Sequence, residues 1–329
     1  MLFLHSALWA STSLILETKD NAHIALHHFP EQGEPVLLAH GLSSNHRVWN
    51  LSKEISFAKH LQNEGYDVWL IDFRGNTVVQ ETQKKQKDGT FFELGLYDLD
   101  TAIQHILTQS DYDQINLVTY SLSGISFLSY LNHHGGQSIH SAVFIGVPLD
   151  LSNPEPLMQL AGITMRLTLF SIPTHKLGRW MSRISTLPYG MEELLWNEDN
   201  IDLTTRHLLL NQIFSPMSPR SLRPLSKMIR SEIITTAPSV NELLTEQNFP
   251  MLMITGRYDK IAPMDRVLPF QESLNHPYSE IVSVGKMDGF STDYGHACLT
   301  MSYAATQEIY PMISSWMSQT NPKTPNTSE

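Results

Sequence analysis

The chain has 329 residues, of which 41% are hydrophobic and 17% charged, which predicts one large globular core or a core with a sizeable insertion. Its net charge of −11, without any long basic cluster, argues against a nucleic-acid partner. A single cysteine, Cys298, excludes an intramolecular disulfide and a thiolate metal cage.

The chain begins with an apolar run, MLFLHSALWASTSLIL. This run lacks the basic leader and the small-residue cleavage pattern of a secretory signal. Charged residues from Glu17 onward leave it too short to span a bilayer. We therefore expect ordinary structure here, a cytoplasmic location and no stable membrane insertion.

Short apolar runs bounded by turn residues predict β-strands. In chain order they are SLILET, HIALHHF, PVLLAH, YDVWLIDF, INLVTY, SAVFIGV, PMLMITG and EIVSVG. Runs with helical spacing, such as FAKHLQNEG and ISFLSYLNHHGG, alternate with the strands from residue 35 to 147. This alternation predicts an α/β fold, with a mostly parallel sheet covered by helices on both faces. The first two runs, joined across KDNA, predict an antiparallel hairpin at one edge.

The alternation stops between residues 151 and 248, where several helices separated by proline-bearing turns are predicted. This segment holds nine basic and nine acidic residues, so the net charge lies on the flanking parts. We interpret residues 151–248 as a helical cap, and residues 1–150 together with 249–317 as the core. The polar tail 318–329, SQTNPKTPNTSE, is predicted to be disordered.

Residues 115–128, INLVTYSLSGISFL, place Ser121 between a buried strand and a helix. This is the nucleophile-elbow arrangement, in which a sharp turn lifts a serine hydroxyl above the sheet. The usual pattern is G-x-S-x-G, whereas Thr119 and Ser123 stand at the glycine positions here. The β-branched Thr119 is the larger departure. The alternative is a serine that only caps the helix.

The loop after PVLLAH supplies a second element of the predicted site. The backbone amide of Leu42, which follows His40 and Gly41, is placed to donate a hydrogen bond to an oxyanion. The amide of Leu122 would complete a hole with two donors. The alternative is a plain strand-to-loop turn that needs a glycine.

Two further loops supply an acid and a base. Asp259 follows a buried strand in PMLMITGRYDKIAP, and His296 follows the last strand in DYGHACLTM. The chain order Ser, Asp, His is the one expected for this arrangement. An imidazole is needed to take the proton of Ser121, and a carboxylate is needed to orient that imidazole. Asp150 and Asp293 are alternative acids.

These segments together resemble the α/β-hydrolase superfamily, and within it a bacterial branch similar to acid lipases and polyhydroxyalkanoate-synthase-like hydrolases. The resemblance extends from about residue 11 to 317 and implies an eight-stranded α/β-hydrolase core with a helical cap after strand six. It also implies a triad of Ser121, Asp259 and His296, with the amides of Leu42 and Leu122 as oxyanion donors. A synthase of that kind carries cysteine at the elbow, and a dehalogenase or epoxide hydrolase carries aspartate.

The leading hypothesis is therefore a serine hydrolase that cleaves small-molecule carboxylic esters with apolar, medium or long acyl chains through an acyl-enzyme. Acyl transfer to an alcohol or thiol on the same core is one alternative. A catalytically inert module that binds a ligand is another, because Thr119 crowds the elbow. We expect no cofactor, and the oligomeric state stays open.

Smaller features are assigned structural roles. Arg74 is predicted to serve the turn after a strand, and Asp98 is predicted to cap the following helix. Adjacent histidines such as His27 and His28 point to opposite faces of a strand and cannot readily share a metal ion. We therefore expect no metal site.

Overall fold

The computed structural model describes residues 12–76, 88–151, 156–184, 191–229 and 239–320. Its centre is an eight-stranded sheet with the spatial order β1-β2-β4-β3-β5-β6-β7-β8. The strands are β1 (Thr12–Glu17), β2 (His23–Phe29), β3 (Pro35–Ala39), β4 (Asp67–Asp72), β5 (Ile115–Tyr120), β6 (Ile139–Ile145), β7 (Met251–Gly256) and β8 (Glu280–Val284). The β1–β2 and β2–β4 pairs are antiparallel, and the other pairs are parallel. The predicted strands and the edge hairpin are confirmed.

Helices cover the sheet and fill the segment between β6 and β7. They are α1 (Phe57–Asn63), α2 (Phe91–Glu93), α3 (Asp100–Thr108), α4 (Ser123–His134), α5 (Pro156–Leu167), α6 (Thr174–Met181), α7 (Met191–Leu195), α8 (Leu203–Gln212), α9 (Pro219–Ile229), α10 (Val240–Thr245), α11 (Met264–Val267), α12 (Cys298–Met301), α13 (Tyr303–Gln307) and α14 (Ile309–Thr320). A π-helical turn, Leu94–Leu99, joins α2 to α3. Short 3-10 turns are formed by His46–Trp49, Glu198–Asn200, Leu268–Ser273 and Lys286–Asp288.

Both faces of the sheet are buried, as strand β3 illustrates. Its side chains alternate between the two faces, as strand geometry requires. Val36 and Leu38 pack into one hydrophobic cluster, whereas Leu37 and Ala39 pack into the other. All four are fully buried. A strand with two buried faces must be apolar along its whole length, which is why the sequence of β3 shows no alternation of polar and apolar residues.

Helices α5 to α9 occupy the interval assigned above to a cap. The next helix, α10, places Leu243 and Leu244 in the same hydrophobic cluster as Phe127 and Phe249. Packing against the sheet thus begins before residue 249. The functional division into core and cap stays a prediction.

At each end of the chain, the structure describes only part of the segment for which a prediction is made above. The apolar run at the N-terminus is described only from Thr12, which begins β1, and residues 1–11 lie outside the described residues. Helix α14 continues to Thr320, which is buried and donates a hydrogen bond through Oγ1 to the carbonyl of Met317. The disorder predicted from residue 318 is therefore wrong for 318–320. Residues 321–329 lie outside the described residues.

Within the described ranges, every helix is too short or too polar to cross a bilayer.

A buried arginine fixes the loop that follows β4. Arg74, with a side chain 1% exposed, forms ion pairs with Asp98 and Asp20 at 2.6 and 2.7 Å. The backbone amide of Arg74 also donates a hydrogen bond to Asp98 at 3.1 Å. The prediction that Asp98 caps a helix is therefore wrong. Its carboxylate instead neutralises the Arg74 guanidinium inside the protein. The interaction ties the β4 loop to the hairpin turn and to the helical segment after it.

We expect Arg74→Ala to lower the free energy of unfolding by about 3–5 kcal/mol, because it leaves the buried Asp98 carboxylate without its cation. Urea denaturation measures the loss. Arg257→Ala is the matched control, since Arg257 pairs with Asp288 at the surface and its removal should change stability little. Equal losses in the two variants would contradict this interpretation of the Arg74 network.

Candidate active site

Ser121 lies in a strained turn between β5 and α4. Its backbone φ is 58°, a left-handed value that is uncommon for residues other than glycine. The amide of Ser121 donates a 2.9 Å hydrogen bond to the carbonyl of Ile145 at the end of β6. Its side chain thereby stands above the carboxyl ends of the parallel strands, where doubly wound sheets carry their sites.

The two departures from the glycine pattern are accommodated in different ways. Ser123 Oγ donates to the carbonyl of Ala39 at 2.8 Å and accepts the amide of Tyr120 at 3.0 Å, so it joins the elbow to β3. Thr119 is fully buried, and its Oγ1 donates to the carbonyl of Val143 on β6 at 3.1 Å. The hydroxyl of Thr119 thus has a partner within the sheet. The crowding predicted at this position does not prevent the elbow from forming.

Asp259 and His296 reach Ser121 from two other loops. The loop after β7 carries Asp259, and the loop between β8 and α12 carries His296. His296 Nε2 lies 2.9 Å from Ser121 Oγ, and His296 Nδ1 lies 2.8 Å from Asp259 Oδ2. The other oxygen of Asp259 accepts the amides of Ile261 and Ala262 at 2.8 and 3.0 Å. The carboxylate is therefore held in one orientation against the imidazole.

The alternative acids point elsewhere. Asp150 pairs with Arg266 at 3.1 Å, and Asp293 accepts the backbone amide of Lys286 at 2.9 Å. Of the three acids considered from the sequence, only Asp259 is hydrogen-bonded to His296.

Two glycines give these groups room to meet. Gly146, just after β6, has a φ of 55°, and a Cβ added there would lie 3.1 Å from both Asp259 Oδ2 and His296 Nδ1. A Cβ added at Gly41 would lie 2.8 Å from the Cβ of Ser121. Sequence reasoning noted Gly41 but missed Gly146. The sequence feature that points to Gly146 is that it is a glycine directly after an apolar strand.

The amides predicted as oxyanion donors lie beside Ser121. Leu42 follows Gly41, which packs directly on the elbow, and Leu122 follows Ser121 at the start of α4. Within the described part of the chain, neither amide donates a hydrogen bond to another protein group. Both donors are therefore available to a ligand. The start of a helix also favours negative charge at Leu122.

A buried carboxylate that sequence reasoning missed holds the loop carrying Leu42. Asp72, at the end of β4 and fully buried, accepts His27 Nε2 at 2.9 Å and His46 Nδ1 at 2.7 Å on one oxygen. Its other oxygen accepts the amide of His46 at 2.8 Å and the side-chain amide of Asn76 at 3.1 Å. Asn76 also donates to the carbonyl of Ser44. Asp72 thus anchors the end of this loop, from Ser44 to His46.

The same cluster offers the one set of possible metal ligands found among the described residues. The ligand atoms of His27, His46 and Asp72 lie within 4.8 Å of one another. Burial by itself raises the pKa of Asp72, but His46 and the hydrogen bonds from both imidazoles outweigh it and hold the pKa well below the usual range. The cluster is therefore a hydrogen-bond network in which an ionised Asp72 accepts hydrogen bonds from the two imidazoles.

Two cavities adjoin the elbow. The first, which we call the apolar cavity, has a volume of about 270 Å³ and includes Ser121 and His296 in its wall, together with ten residues of the 151–248 segment, most of them aliphatic. The second, which we call the polar cavity, has a volume of about 240 Å³, and its wall contains eight serines as well as Phe73, Phe91 and Leu94. Residues 41–44 and Leu122 line both. The predicted oxyanion donors therefore lie at the boundary between the two cavities.

Comparison with known proteins agrees with this architecture. A family model for the alpha/beta hydrolase fold matches residues 34–288. The chain belongs to this family. A thermophilic esterase from Thermogutta terrifontis, solved with malate bound, superposes with a TM-score of 0.63 at 16% identity and covers 94% of this chain and 99% of its own. This likeness establishes the fold.

Among curated relatives, triacylglycerol lipase 1 of Arabidopsis thaliana is 30% identical over 156 residues, which make up 43% of this chain and 39% of the relative. The lysosomal acid lipase/cholesteryl ester hydrolase of Homo sapiens is 25% identical over 202 residues, or 56% of this chain and 47% of the relative. The chain thus spans less than half the length of these two relatives.

We expect Asp72→Ala to lower the free energy of unfolding by about 3–5 kcal/mol near neutral pH, because four hydrogen-bond donors lose their buried acceptor. The folded-state pKa of Asp72 is depressed, so its contribution is present above the unfolded value of about 4 and is lost as the pH falls through the folded value. Urea denaturation at neutral pH and well below pH 4 measures the difference from the wild type.

The difference between wild type and Asp72→Ala should shrink on acidification. The exposed residue Asp113 supplies the control, because Asp113→Ala should show little difference at either pH. A loss in Asp72→Ala that is independent of pH would contradict an ionised Asp72 in the folded protein.

Proposed function

We propose that the protein is a lipase- or esterase-like serine hydrolase that cleaves carboxylic esters through an acyl-enzyme. The observation that carries this proposal is the chain of hydrogen bonds from Ser121 Oγ through His296 to Asp259, at 2.9 and 2.8 Å. The names of the two lipase relatives and membership of the alpha/beta hydrolase family support an ester substrate. The contact between hydroxyl and imidazole favours a working site over an inert binding module.

In the first half of the proposed reaction, Ser121 Oγ attacks the ester carbonyl while His296 Nε2 takes its proton. Asp259 holds the imidazole in the tautomer that presents a lone pair to the hydroxyl and stabilises the imidazolium that forms. The amides of Leu42 and Leu122 donate to the oxyanion of the tetrahedral intermediate. His296 then protonates the departing alcohol, which leaves the acyl group on Ser121.

In the second half, a water molecule takes the place of the alcohol. His296 removes its proton as it attacks the acyl-enzyme, and the same amides stabilise the second tetrahedral intermediate. Collapse releases the carboxylic acid and returns the proton to Ser121. No residue beyond these five is needed for the proton and charge transfers.

The apolar cavity supports an apolar portion of the substrate. Ser121 lies in its wall, which also includes the buried residues Val48, Leu209, Ile213 and Met301. A pocket of predominantly hydrophobic lining beside a few polar groups is typical of sites for small apolar ligands. This hydrophobic lining favours medium or long acyl chains.

Replacing the nucleophile provides the first test of this function. We expect Ser121→Ala to lower the turnover of p-nitrophenyl butyrate by about 10³-fold or more, because among the described residues Ser121 supplies the one hydroxyl hydrogen-bonded to His296 Nε2. Release of p-nitrophenol measures the rate. Ser129→Ala is the control, since Ser129 lies on the same helix and bonds to the carbonyl of Phe92 away from the site. Undiminished turnover in Ser121→Ala would refute the role of Ser121.

Filling the apolar cavity tests where the acyl chain binds. We expect Ile213→Trp to lower kcat/KM for p-nitrophenyl decanoate by about tenfold or more and that for the butyrate by less than about threefold, because only the longer chain needs the filled space. Leu268→Trp is the control, because Leu268 is half exposed and lies outside both cavities. Equal losses for both esters in folded Ile213→Trp would exclude this cavity as the acyl site.

A further inference from the structure

The polar cavity differs from the apolar cavity in its chemistry. Eight serines contribute to its wall, from the loop carrying Leu42, from α4 and from the 151–248 segment. Most of these hydroxyls are engaged. For example, Ser43 donates to the carbonyl of Ser215, Ser44 donates to that of Gly41, and Ser123 donates to that of Ala39.

Two of the serines differ from the rest. Ser126 is 1% exposed and Ser215 is 3% exposed, yet within the described part of the chain neither Oγ has a hydrogen-bond partner. Buried hydroxyls are nearly always hydrogen-bonded, so each exception calls for an explanation. Both residues line the polar cavity, and among the described residues none of the unpartnered atoms belongs to the wall of the apolar cavity.

The charges around the polar cavity favour a neutral ligand. Arg74 lines it, but its guanidinium is paired with Asp20 and Asp98 and is almost fully buried. His40 also lines it, and burial lowers the pKa of this imidazole, which keeps it uncharged near neutral pH. With Asp88 also in the wall, an anionic group such as a phosphate or carboxylate finds no available cation among the described lining residues.

The position of the cavity links it to the reaction. Gly41, Leu42 and Leu122 line both cavities, and Gly41 is in contact with Ser121. A substrate whose carbonyl oxygen lies between the amides of Leu42 and Leu122 therefore has both cavities within reach of its two ends. One end meets hydrocarbon and the other meets hydroxyl groups.

We propose that the polar cavity binds a neutral, hydroxyl-bearing group of the substrate through Ser126 and Ser215, while the apolar cavity binds its hydrocarbon part. This proposal deepens the proposed ester hydrolysis and rests on it. The hydroxyl belongs either to the acyl half, as in a hydroxyacyl ester, or to the alcohol half, as in an ester of a polyol. Each serine hydroxyl can donate to such a group or accept from it.

Matched pairs of esters distinguish the two sources. The first pair is p-nitrophenyl butyrate and p-nitrophenyl 3-hydroxybutyrate, which differ in the acyl half. The second pair is ethyl butyrate and 2-hydroxyethyl butyrate, which differ in the alcohol half. We expect the wild type to favour the hydroxylated member of at least one pair by about tenfold in kcat/KM.

Variants assign that preference to the cavity. Ser126→Ala and Ser215→Ala should each reduce the preference to about twofold or less while leaving kcat/KM for the plain ester within about twofold. Ser129→Ala should keep the preference, because Ser129 shares the helix of Ser126 but lies outside the cavity wall. No preference in either pair, or a preference that survives both substitutions, would overturn the proposal and assign the cavity to solvent.

A binding measurement separates this proposal from the proposed catalysis. Isothermal titration calorimetry of the same four esters with Ser121→Ala requires no turnover. Binding of a hydroxylated ester that is tighter than that of its plain partner, and that is lost when Ser126→Ala is combined with Ser121→Ala, supports the cavity assignment. This holds even if the wild type hydrolyses none of the four esters. Equal affinities within both pairs would overturn it even if the plain esters are hydrolysed.

Discussion

The left-handed backbone at Ser121 is the constraint on which the site depends. An L-residue adopts a φ of 58° only where its surroundings impose it, and here the sheet does so. The amide of Ser121 is bonded to the end of β6, and Ser123 joins the turn to the end of β3. Because parallel strands end at one edge, the loops after β7 and β8 bring Asp259 and His296 to the same place. The hydroxyl is thereby positioned before any substrate arrives.

Buried polar groups give the surrounding loops their shape. Asp72, at the end of β4, and Arg74, two residues later, bind different groups. Asp72 holds the His46 loop, and Arg74 holds the Asp98 segment. Burying such charges is costly unless each is paired, and both are. Within the described residues, the amides of Leu42 and Leu122 next to this elbow donate to no protein group. In the proposed reaction, donors held by such loops need no reorganisation when negative charge develops.

Local sequence pattern predicts the strands, the edge hairpin and the three side chains that meet at the rim. Strands buried on both faces read as continuous apolar runs, and the polar residues of the site follow such runs in the sequence. The Asp72 cluster joins residues from three separate segments, and its members carry no shared motif. The prediction of a helix cap at Asp98 is wrong because its partner Arg74 lies 24 residues away, beyond the reach of a local pattern. The continuation of α14 to Thr320 was missed because burial by tertiary packing outweighs a polar, tail-like composition. Both cavities combine residues of the 151–248 segment with residues from elsewhere in the chain, a combination that no local pattern shows.

The most direct test of the central claim is covalent labelling with a fluorophosphonate, followed by mass spectrometry of the intact protein and of its peptides. A serine activated by His296 should give a single adduct on the peptide that contains Ser121, and the adduct should be almost absent in folded His296→Ala. An unlabelled wild type, or an adduct at another residue, would contradict an activated hydroxyl at the elbow.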